Sequence, residues 1–126
     1  MKESEPPSEP VIVVRYTTVT RGDPFYASGK LSMAVHVLAT SYGTLRSRLY
    51  DAYLEFSILS TRDFPPSLQG SFQWIKKELT KREAHGNEGR VKATLRGMRK
   101  VKAEEIAARI CELSDALDTY LGQHDT

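Results

Sequence analysis

The chain has 126 residues, of which 40% are hydrophobic and 27% charged, and its 18 lysines and arginines against 16 acids give a formal net charge of +2. That length allows one core, the apolar and charged fractions exclude a disordered chain, and a single cysteine, Cys111, excludes both a disulfide framework and a thiolate cluster for a metal. No stretch is apolar for long enough to cross a membrane, and the acidic, proline-rich start lacks the basic and apolar regions of a signal peptide, so the sequence reads as a cytoplasmic protein.

From the N-terminus, residues 1–29 read as a flexible or extended arm. Residues 2–10 hold Pro6, Pro7, Pro10 and three glutamates, and lack the apolar side chains that would offset the entropy of ordering. Residues 11–20, VIVVRYTTVT, form a β-branched run of strand type, yet no second strand follows for them to pair with. Arg21-Gly22-Asp23-Pro24 is a turn signal. It also spells an adhesion tripeptide, which reads as a plain turn in a chain without export signals. Met33 would serve as an internal start, and the first 32 residues would then be an extension.

At Leu31 the pattern changes. Leu31, Val35, Leu38, Tyr42, Leu45, Leu49, Ala52, Phe56 and Leu59 follow one another in alternating steps of four and three, the spacing of a helix seam that faces another helix. One continuous helix over 31–59, about 43 Å long at about 1.5 Å per residue, is the first reading. Gly43 lies off the seam, and the alternative is two helices meeting there, with Thr44 capping the second.

Residues 59–66, LSTRDFPP, end this helix and begin the next, because a proline disfavours helix at the residue before it yet suits a first turn. Ser60 and Asp63 have capping spacing. A helix over 66–80 follows, with Phe64, Leu68, Phe72, Ile75 and Leu79 inward and Gly70 weakening it; 83–89, EAHGNEG, reads as a loop and 90–98 as a short helix burying Val91, Leu95 and Met98. A last helix over 102–121 carries a second heptad at Ala103, Ile106, Ile110, Leu113, Leu117 and Tyr120, and Gly122 is expected to stop it. The predicted fold is all-α: a small bundle of four helices over 30–122, two of them long and heptad-patterned, with an N-terminal arm and a tail at 123–126.

The stretch Leu45-Arg46-Ser47-Arg48-Leu49-Tyr50-Asp51-Ala52 resembles a group of short bacterial proteins of unknown function. So do Leu59-Ser60, Asp63-Phe64-Pro65, Leu68, residues 75–80, and Ala93-Thr94-Leu95-Arg96-Gly97-Met98 ahead of Glu105-Ile106-Ala107. The resemblance covers about residues 30–121. It implies bacterial origin and a helical body, and supplies no activity, cofactor or site.

Charge is strongly segregated. Residues 76–102 carry ten cations and three acids, net +7, whereas 103–126 carry six acids and one arginine, net −5. Lys92, Arg96, Arg99 and Lys100 are therefore candidate nucleic-acid contacts, gaining affinity by releasing counterions from phosphates. The plainer reading is that the last helix folds back so that Glu104, Glu105 and Glu112 neutralise the run, or that both faces are solvated. No aromatic residue is interleaved with the cations after Trp74, so the stacking platforms of single-strand binders are missing.

Catalytic chemistry finds less. His36, His85 and His124 fall in separate elements without a second ligand at helical spacing, and Cys111 has Glu112 rather than a cation beside it. Arg46, Arg48, Asp51 and Glu55 read as a salt-bridged helix flank. Trp74 sits off its helix's inner stripe and, with Tyr42, Leu45 and Leu49, is a candidate partner interface, the plainer reading being an edge-of-core tryptophan. The sequence thus predicts no enzyme, cofactor, metal or membrane contact. The first functional reading is a helical interaction or assembly module, self-associating or docking on a protein partner. Nucleic-acid binding through 76–102 is the alternative, and an enzyme without a recognisable motif the third reading.

Overall fold

A computed structural model describes residues 22–124, the side chain of His124 excepted. The acidic stretch 2–10 and the strand-like run 11–20 lie outside the described residues. Within them the chain is all-α, with five helices: α1 Pro24–Thr40, α2 Leu45–Phe56, α3 Pro66–Leu79, α4 Gly86–Arg96 and α5 Lys100–His124, plus a 3-10 turn at Thr61–Asp63.

The turn signal before Pro24 is the cap of α1. Gly22 takes a left-handed φ of 75°, the Asp23 carboxylate accepts the Phe25 amide at 2.9 Å, and Pro24 supplies a preset first turn. This cap starts the helix seven residues before Leu31, so part of the expected arm belongs to the body. The Gly22 amide also donates to Asp63 Oδ1 at 2.6 Å, which ties the start of α1 to the 3-10 turn. Asp63 Oδ2 accepts the Ser60 amide at 2.8 Å, giving the expected Ser60–Asp63 cap.

The expected continuous helix over 31–59 is broken at Gly43. Gly43 adopts φ 101°, where a side chain is strained, and Thr44 caps α2 by accepting the Ser47 amide at 3.2 Å. Arg48 Nη1 donates to the Leu38 carbonyl at 2.7 Å and Arg48 Nε to that of Gly43 at 3.3 Å. In an unbroken helix residues 38 and 48 would be about 15 Å apart, so the chain doubles back and α1 and α2 pack as a hairpin. Tyr42, expected on the seam, is instead 95% exposed at the corner. The other seam positions stay inward: Leu31, Leu38, Leu49, Ala52, Phe56 and Leu59 are buried, Val35 and Leu45 half-buried.

Helix α3 buries Phe72, Ile75 and Leu79, and Phe64 stacks on Phe72 with ring centroids 4.4 Å apart. Helix α4 begins at Gly86 rather than residue 90. Its first turn is polar because it is exposed, and Glu88 there complements the helix dipole, so what reads as loop in sequence is partly helix. Helix α5 runs through Gly122 to His124. A glycine costs about 1 kcal/mol of propensity, which does not stop a helix whose apolar stripe continues to Leu121. That stripe, Ala103, Ile106, Ile110, Leu113 and Leu117, is buried, and α5 packs against α1 and α3 while α4 lies across α2 and α3.

Candidate functional site

The corner between α4 and α5 is built from Arg96, Gly97, Met98, Arg99 and Lys100. Met98 anchors it: the side chain is buried, the amide donates to the Leu95 carbonyl at 3.1 Å, and the Met98 carbonyl accepts Arg46 Nε from α2 at 3.0 Å. Arg46 Nη2 donates to the same carbonyl. Arg96, Arg99 and Lys100 are left facing solvent.

Two clefts flank this corner. The first, about 250 Å³, lies between the ends of α3 and α4; Glu78, Lys81, Arg82, Thr94, Arg99 and Lys102 line it. The second, about 260 Å³, lies between α4 and α2 and is lined by Arg46, Ser47, Tyr50, Lys92, Leu95 and Arg96. Lys92 Nζ sits 5.2 Å from the centroid of the Tyr50 ring, and Arg46 and Lys100 meet again at a neighbouring recess beside Thr44. The four sequence-predicted contacts, Lys92, Arg96, Arg99 and Lys100, thus surround one corner. Arg46, Arg82 and Lys102 join them there. Arg46 lies too far away in sequence for any local spacing to have assigned it to this surface.

Glu78 is the one acid lining either cleft among the described residues. Its Oε1 is 2.8 Å from Lys81 Nζ and 3.5 Å from Lys102 Nζ. Burial works to raise the Glu78 carboxyl, but the Lys81 hydrogen bond and the charges of Lys102 and Lys81 outweigh it and hold the group below the usual carboxylate range. The Lys102 ammonium is pushed up by its hydrogen bond to Glu105, helped by the charge of Glu78, against the opposing effect of burial. Neutralisation by α5 is partial. Glu105 pairs with Lys102 at 3.2 Å and with Arg109 at 3.9 Å, whereas Glu104 and Glu112 form no ion pair among the described residues. Nor does any described acid pair with Arg82, Arg96, Arg99 or Lys100.

The residues expected at a partner interface do not form one surface. Leu49 is fully buried on the inner stripe of α2, Leu45 is half-buried, and Tyr42 is exposed at the α1–α2 corner. Trp74 packs at the edge of the core under two cations of α5, Arg109 with its guanidinium carbon 4.4 Å and Lys102 with Nζ 5.3 Å from the ring centroid. His36 and His85 are exposed, and no group of ligating side chains able to hold a metal occurs among the described residues. Cys111 is half-buried, its thiol pushed up by burial and then by Asp115 and Glu112, the reverse of what a nucleophile needs. No helix is long and apolar enough to cross a membrane among the described residues.

No family model matches the chain, and no curated protein or solved structure matches it either.

Proposed function

We propose that this protein binds nucleic acid through the phosphate backbone, with the α4–α5 corner as the contact surface. The observation that carries the reading is convergence: Arg46 of α2, Arg82 of the α3–α4 loop, Lys92 and Arg96 of α4 and Arg99 of the corner line two clefts in which Glu78 is the one acid among the described residues, and Lys100 lines the recess beside them. Cations clustered this way focus positive potential on one surface, and each phosphate they contact releases condensed counterions, an entropy gain that favours binding. The described residues around the corner carry no array of exposed aromatic rings, so backbone contact to a duplex is favoured over base stacking on a single strand.

The test is affinity for a short DNA or RNA duplex as a function of salt. Binding should weaken linearly in log–log form, with a slope of about −0.9 for each DNA phosphate contacted. Absence of binding at about 50 mM salt, or a slope near zero, would rule the reading out.

An assembly role is the second reading. Most positions of the two heptad seams pack within one chain, which leaves as its support a set of exposed apolar side chains, Phe25, Met33, Tyr42, Leu54, Ile58 and Val101. Light scattering that gives a strict monomer at high concentration would remove it.

A further inference from the structure

Gly97 has an ordinary backbone, with φ −100° and ψ 8°, so its conformation does not call for glycine. What it leaves open is space. A Cβ built there would stand 2.7 Å from Arg82 Nη2 and 3.2 Å from the Arg82 guanidinium carbon. The guanidinium of Arg82 therefore lies directly over the bare face of residue 97, at the rim of the cleft between α3 and α4. Its own backbone is pinned there too, since the Arg82 amide donates to Thr94 Oγ1 at 2.9 Å and Thr94 is buried.

We infer that this cleft is a discrete phosphate-binding site in which Arg82, positioned by Gly97 and Thr94, is the principal ligand. The inference rests on the nucleic-acid reading for its biological ligand and deepens it to one named contact. Arg82 pairs with no described acid, and Arg99 lines the same cleft from the corner. Lys81 and Lys102 already share the Glu78 carboxylate, so they add positive field while the two guanidiniums supply the fork of N–H donors that matches phosphate oxygens. A volume of about 250 Å³ falls below the usual range of small-molecule pockets, which begins near 300 Å³, and suits a phosphate group with its linkage rather than a whole nucleotide. The phosphate could belong to the interior of a nucleic-acid backbone or to a terminal or free phosphate. Glu78 stands against the anion, so removing its charge by Glu78→Gln should strengthen binding.

The experiment titrates the full chain with inorganic phosphate, following backbone amide resonances, and separately measures binding of a duplex with and without a 5′-phosphate by anisotropy. Wild type, Gly97→Ala, Arg82→Gln and, as a control on α1 away from the corner, Lys30→Ala are compared. Phosphate should shift the Arg82, Gly97 and Arg99 amides saturably in wild type and in Lys30→Ala, and not in Arg82→Gln. Arg82→Gln should weaken duplex binding about three- to tenfold and make the salt slope shallower by about one, and Gly97→Ala, which displaces only the end of the Arg82 side chain, should weaken it less. A gain on adding the 5′-phosphate assigns the cleft to a chain end, and equal binding of both duplexes assigns it to the backbone. If Gly97→Ala and Arg82→Gln bind phosphate and duplex as wild type does, the inference fails while nucleic-acid binding stands. If phosphate titrates the cleft but no duplex binds, the site stands and the nucleic-acid reading fails. Should Gly97→Ala not fold by circular dichroism, Arg82→Gln alone decides.

Discussion

Arg48 closes the corner between α1 and α2 by donating from Nη1 to the Leu38 carbonyl, 2.7 Å away. That carbonyl belongs to the last turn of α1, where no helical amide follows to satisfy it, so a charged side chain does so from the opposing helix. The corner fixes the hairpin, the hairpin sets the face α2 turns to α4, and Arg46 reaches Met98 from that face.

Replacing the residue that permits the corner should loosen it. Gly43→Ala places a side chain at φ 101°, with its Cβ 3.3 Å from Ser47 Oγ, and should destabilise the fold by about 1–3 kcal/mol. Thermal or urea unfolding measures this. An unchanged midpoint would mean that the hairpin tolerates another corner conformation.

Core truncation tests whether the seams are spent inside one chain. Leu49→Ala and Ile110→Ala each remove a fully buried side chain and should cost about 2–5 kcal/mol, comparable to the whole stability of a marginal domain. The loss should be independent of protein concentration. A concentration-dependent midpoint would place these side chains between copies instead.

The Glu78 carboxyl is held below its usual range in the folded chain, so its contribution to stability is complete above the unfolded carboxylate value and is lost as pH falls through the folded one. Urea unfolding of wild type and Glu78→Gln at about pH 7 and about pH 3 should therefore show a difference at neutral pH that narrows in acid. A difference that stays constant or grows on acidification contradicts the Lys81 and Lys102 pairing.

Trp74 is the single tryptophan, and Arg109 and Lys102 cover its ring. Arg109→Ala should raise the Stern–Volmer constant for acrylamide quenching of its fluorescence. Unchanged quenching would show that the core edge alone shields the indole.

The inward faces of the helices are legible from spacing, because a period near 3.6 selects the buried side whether or not the helix is continuous: Leu31, Leu38, Leu49, Phe56, Ile106, Ile110 and Leu117 all face the core. The break at Gly43 is legible only as the alternative reading that Gly43 and the Thr44 cap offer. The four–three steps pass through Leu38, Tyr42 and Leu45 without a fault, and the break is secured by a left-handed glycine and by Arg48, a contact between helices that spacing does not encode. The candidate site divides similarly. Lys92, Arg96, Arg99 and Lys100 stand out as a run of charge, whereas Arg46 arrives through tertiary packing and Arg82 lies over the bare face of residue 97, a contact between elements.

The central claim is that the α4–α5 corner contacts phosphates. The most direct measurement compares the salt dependence of duplex DNA binding by wild type with that of a variant carrying Arg96→Ala, Arg99→Ala and Lys100→Ala, three exposed cations without an acidic partner among the described residues. The variant should fold normally, bind more weakly at low salt for every duplex sequence, and show a log–log slope shallower by about 2.7, at about 0.9 for each lost contact. A variant that binds with the affinity and slope of wild type would contradict the account.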